Sequence, residues 1–160
     1  MKEKIAYNTK WRIRKFANKG EYDKGNPFEI IEFEHNALLN EGINHLWKLV
    51  CSSGETLFDN ANAYLGVGDD NTAASATQTG LQGSNKYYKN VDSGYPTFGT
   101  SQKATWVATF DGSGANFAWQ EFTIANGNSD SAINLNRKVS NQGTKVISQV
   151  WELMLEISLA

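Results

Sequence analysis

Ile147-Ser148-Gln149-Val150-Trp151-Glu152-Leu153-Met154-Leu155-Glu156-Ile157-Ser158-Leu159 decides the fold. Ile147, Trp151, Leu153, Leu155, Ile157 and Leu159 alternate with Ser148, Val150, Glu152, Met154, Glu156 and Ser158, and a period of two sorts side chains onto the two faces of a β-strand. A run of about 13 extended residues spans roughly 40 Å, near the long limit for a globular strand, so this one is expected to bend or to be shared between two layers.

Moving towards the N-terminus, Ile133–Val139 reads as a short strand, and Asn126-Gly127-Asn128 closes the one before it. Asn116–Ala125 and Lys103–Phe110 are strands joined by Asp111-Gly112-Ser113-Gly114, which is hairpin chemistry. The apolar phase slips by one between Trp119 and Phe122, and a β-bulge near Gln120-Glu121 accounts for it. Lys86–Val91 and Ala63–Gly68 are further strands, Tyr95-Pro96 is a turn, and Thr72–Gly83 is a loop of small polar residues.

The clearest helix follows Asn36, a good N-cap. Leu39, Ile43, Leu46, Trp47 and Val50 fall on one face at helical spacing, and Gly54 closes the element. That face is expected to be buried on a sheet, with Gly42 where a strand comes close. Upstream, Phe28–Glu34 is a strand, Asn18–Asn26 a turn or linker, and Trp11–Phe16 a short strand. These elements predict a mainly β chain: a β-sandwich or jelly-roll-like single domain with one amphipathic helix and an extended N-terminal arm. The arm takes residues 1–26, the body 27–160, and the helix about 37–53.

Charge separates the two parts. Residues 1–24 carry eight Lys or Arg against three acids, a net of +5, and the remainder seven against fourteen, a net of −7. A basic arm on an acidic body suits docking on an acidic protein neighbour, or plain solvation, better than nucleic acid, whose phosphates the body repels. Trp11, Arg12, Arg14, Lys15 and Phe16 are the candidate partner-binding residues, with Trp11 as anchor. The 160 residues suffice for one core. Cys51, the single cysteine, permits no internal disulfide, in keeping with a reducing cytoplasm. Met1–Ile5 lacks the apolar run of a secretory signal, and no stretch is long enough to span a bilayer, so neither export nor a membrane partner is expected.

No catalytic, metal or cofactor residues stand out, and the chain is expected not to be an enzyme. His35, His45 and Cys51 match no zinc spacing. His45 follows Glu41 by four residues and is expected to pair with it on the surface. Asp69-Asp70-Asn71-Thr72 lacks the closing Glu of a calcium loop, and Gly66-x-Gly68 lacks a dinucleotide-binding context. Trp47, Trp106, Trp119 and Trp151 lie on apolar faces and are expected in the core. The five tryptophans could otherwise form a sugar platform, with Tyr87, Tyr88 and Tyr95 as helpers.

Several stretches carry a resemblance: Asn40–Asn44 (NEGIN), Phe58–Asp69 (FDNANAYLGVGD), Asp92–Pro96 (DSGYP), Trp106–Phe110 (WVATF), Ala115–Phe122 (ANFAWQEF), Leu135–Val139 (LNRKV) and Gly143–Lys145. In this order the chain resembles a family of small proteins encoded in tailed-phage structural gene clusters, and Ala115–Trp119 is also similar to strands of tail-collar and fibre proteins. The resemblance implies a virion protein assembled in the host cytoplasm, without catalysis. A capsid decoration or cement protein binding the major capsid protein, as a homo-oligomer and, from icosahedral threefold positions, a trimer, is the leading expectation. A tail, neck or fibre component, or a carbohydrate-binding attachment module, stands behind it.

Overall fold

A computed structural model describes residues 4–160 as ten strands and two helices, in the order β1 (Tyr7–Phe16), α1 (Lys19–Asp23), β2 (Glu29–Glu34), β3 (Ala37–Leu38), α2 (Asn40–Cys51), β4 (Tyr64–Gly68), β5 (Lys86–Asn90), β6 (Thr97–Thr100), β7 (Lys103–Phe110), β8 (Glu121–Ala125), β9 (Asn136–Val139) and β10 (Val150–Leu159). The chain is mainly β. Two antiparallel five-stranded sheets, in the orders β2-β1-β10-β7-β6 and β3-β9-β8-β4-β5, form a single-domain β-sandwich.

The C-terminal alternation holds the middle of the first sheet. Trp151, Leu153, Leu155 and Ile157 face the core, and on the other face Val150, Glu152 and Met154 are buried as well. The strand begins later than expected and stays within one sheet: Ile147 lies outside it, 74% exposed. Between the sheets, Trp119 sits edge-on to Trp151 and to Phe110, each at 4.8 Å between ring centroids. Such tilted contacts bring the positive ring edge to the negative face.

The N-terminal segment corrects the expected organisation. Residues 1–3 of the proposed arm lie outside the described residues; most of the remainder, instead of extending from the body, is β1, the second strand of the first sheet, hydrogen-bonded to β2 on one side and β10 on the other. Trp11, Ile13 and Phe16 are fully buried. The basic charge has an internal purpose. Lys10, Arg12 and Arg14 project from the opposite face to Trp11 and Ile13, and their cross-strand partners include Glu34, Glu32, Glu152 and Glu156. Cross-strand pairs of opposite charge favour this register. A boundary at residue 26 therefore does not divide the domain. The expected linker contains α1, whose Asn18 cap accepts the Glu21 N–H at 3.0 Å.

Two connections also differ from expectation. The Asp111–Gly114 stretch joins strands of different sheets, because β7 already has β10 and β6 beside it and offers no free edge to β8. The crossing is held by Lys145, whose Nζ donates to Asp111 O at 2.5 Å, Gly114 O at 3.2 Å and Asn116 Oδ1 at 2.8 Å. The phase slip needs no bulge: Trp119 precedes the ladder, its N–H bonding Gly143 O at 2.9 Å, and regular pairing with β4 starts at Glu121. The helix begins after Leu39 and not after Asn36, since Ala37-Leu38 first pairs with β9.

Candidate interaction surface

The position of α2 follows from what its inner side can bond. Gly42 lies against Leu135, and a Cβ there would come within 2.5 Å of the Leu135 Cα, so the expected close approach is real. His45 is buried instead of pairing with Glu41 on the surface. Its Nε2 lies 2.8 Å from Thr56 O and 3.1 Å from Asn126 Nδ2. Glu41 also turns inward, its Oε1 accepting the N–H of Asn134 at 3.1 Å and of Gly80 at 3.3 Å, and burial raises its pKa.

With Gly42 and His45 facing the body, the 3.6-residue turn puts the centre of the apolar face roughly a third of a revolution away from it. The expected burial is therefore reversed for most of that face: Leu39 is buried, but Ile43, Leu46, Trp47 and Val50 are 36, 41, 64 and 75% exposed. Trp47 is thus not a core residue, and Trp11 is. The sequence held a signal for this in Gly42, which marks the buried side and lies far from Trp47 around the helix.

Next to this stripe lies a groove of about 760 Å³ between α2 and one end of the first sheet. Leu46, Leu135, Trp106, Ala104, Ile157 and Leu159 form its apolar wall. Tyr7 closes the inner side, its phenol pushed upward in pKa by burial against the opposing effect of Asn36 and Asn136. Stripe and groove share Leu46 and make one continuous apolar surface.

The residues expected to bind a partner are engaged inside the molecule. Trp11 stacks on Phe33 at 6.1 Å. Arg12 is half-buried on β1, among strands of its own sheet. Arg14 makes a two-pronged bond to Glu152 at 2.8 and 2.7 Å, which raises its pKa. Lys15 is buried, donating to Gln142 O at 2.6 Å and sitting 4.3 Å above the Trp151 ring. Phe16 meets Tyr22 edge-on at 5.1 Å. Trp11, Lys15 and Phe16 are thus buried and Arg14 is held by Glu152, whereas the Arg12 Nε meets no hydrogen-bond partner among the described residues.

The polar clusters are likewise committed to structure. Arg137 and Glu121, both fully buried, pair at 2.7 Å, and Arg137 also reaches Asp70 at 2.8 Å. The Glu121 carboxylate accepts the N–H groups of Gln82 and Gly83, fastening the Thr72–Gly83 loop to β8. Asp69 is occupied by Asn85, which holds its carboxyl below the usual aspartate range. The acidic turn is therefore used by protein donors. Tyr88 donates to Asp130, which also pairs with Lys86 at 2.5 Å; burial and that carboxylate push the phenol far upward. Tyr87 and Tyr88 are adjacent on β5 and point to opposite faces, so they do not form one sugar-binding plane.

Among the described residues, no group of three or more His, Cys, Asp or Glu is placed to hold a metal, and no helix is long and apolar enough to cross a membrane. No protein-family model matches the chain, and neither a curated protein nor a solved structure matches it.

Proposed function

We propose that this protein is a non-enzymatic structural component of a tailed-phage virion, assembled in the host cytoplasm and bound to neighbouring proteins through the α2 stripe and its groove. The observation that carries the reading is the exposed face of α2: an apolar patch next to a groove, on a chain whose conspicuous ionic clusters are internally paired, suits assembly better than catalysis. The resemblance of the Asn40–Lys145 stretches to tailed-phage structural proteins supplies the virion. Decoration of the capsid lattice, with subunits associated through this surface and the assembly seated on the major capsid protein, is the leading role; a tail, neck or fibre position is second, favoured by the likeness of Ala115–Trp119 to tail-collar strands.

Immunogold labelling of mature particles tests the proposal. Label over the whole head supports decoration, a few copies at the tail or neck support the second role, and absence from purified particles contradicts both.

A further inference from the structure

We infer that the occupant of the α2 stripe is a second copy of this chain, the helices of two or more copies packing together around a symmetry axis. The inference deepens the assembly reading by naming the partner of the same surface.

Spacing is the first argument. Ile43, Leu46, Trp47 and Val50 repeat at i, i+3, i+4 and i+7, the seam spacing by which helices pack on helices, and here the seam faces away from its own sheets. Charge is the second. Glu41 turns inward to Gly80 and Asn134, and Lys48 lies on the other side of the helix from the stripe, so no ionic group on the seam selects a partner of opposite sign. A self-complementary apolar strip meets its match in its own copy.

Area is the third. From their fractional exposures, Ile43, Leu46, Trp47, Val50 and the groove-lining Leu159 present on the order of 500 Å² of apolar surface, at the upper end of the largest patch on a typical monomer. Two such patches face to face bury about 1,000 Å², the lower bound for a biological interface and the size of a weak, reversible one. Trp47, the most exposed tryptophan, is the natural anchor.

Sedimentation equilibrium of the purified full chain at micromolar concentration tests the inference. The wild type is expected to sediment as two or more copies. Trp47→Glu and Val50→Glu should weaken association by about thirtyfold or more, as loss of a hot spot does, with cooperative thermal melting retained. Ile147→Glu, equally exposed but beyond the opposite end of β10, should behave as the wild type. A monomeric wild type overturns the inference, as does association that survives both α2 variants or is lost equally in Ile147→Glu. Melting lost in both α2 variants would place the stripe inside the body and overturn it too. A purified monomer still present in particles would refute the self-pairing alone and leave the virion role standing.

Discussion

Arg137 is the residue on which the second sheet most depends. Its guanidinium compensates the Glu121 carboxylate where neither side chain is accessible to solvent, and it also gathers Asp70, the Thr72 carbonyl at 2.8 Å and the Gln78 side chain at 3.1 Å. Arg137→Met removes one half of a buried pair and should cost about 3–5 kcal/mol in urea denaturation, the penalty of a stranded charge. Changing both partners, with Glu121→Gln, should recover part of the loss. Gly42 is the second sensitive position. Gly42→Ala drives a methyl group into the Leu135 backbone and should cost about 1–3 kcal/mol, although alanine is the better helix former.

The pH response belongs to the same scale. Asn85 depresses the Asp69 pKa, and the Ser113 side chain does the same for Asp111. A carboxyl with a lower pKa when folded contributes stability that is complete above the unfolded value and disappears as pH falls through the folded one. Stability measured by thermal melting should therefore hold through the neutral range and fall below about pH 4. Asp69→Asn should flatten that fall. Glu41 works in the opposite sense, since its raised pKa makes the ionised carboxylate a cost that protonation relieves.

Among elements, β1 separates what local patterns convey from what they omit. The alternation of Trp11, Ile13 and Lys15 with Arg12 and Arg14 marks a strand, and β4, β5, β7 and β10 were legible in the same way. Its place in the sheet was not, because its partners come from two strands, β2 close in the chain and β10 far away: Glu29 pairs with Lys15, but the Glu152 that holds Arg14 lies 138 residues from it. Seen alone, the cluster of positive charge resembles an arm. Deletion of residues 1–24 distinguishes the two descriptions. A detachable arm would leave a cooperatively melting body, whereas removing β1 strips Trp11, Ile13 and Phe16 from the core and should abolish cooperative unfolding by calorimetry.

The helix was legible as a helix, and its apolar face as a face, but not the direction in which that face points. Direction is set by the Thr56 carbonyl and Asn126 meeting His45, and by the Leu135 backbone meeting Gly42, contacts that no period within residues 40–51 encodes. The candidate surface was therefore present in the sequence as residues and absent as a surface. The false hairpin has a similar origin, since Asp111–Gly114 has good turn chemistry but the edge its partner required was already taken by β6.

At the scale of the molecule, the basic front meets the glutamates of β2 and β10 across one charge-paired sheet face, and the two sheets enclose an aromatic core. What this arrangement leaves unspent is the end of the sandwich where α2 shows its apolar stripe beside the groove. Amide hydrogen exchange of the full chain, compared between dilute and concentrated solution, tests most directly whether that surface is made to be covered. Slower exchange or solvent masking at high concentration, confined to residues 40–51 and the adjoining groove, is the predicted result. Exchange independent of concentration, or protection appearing at the exposed edge of β2 instead, would contradict it.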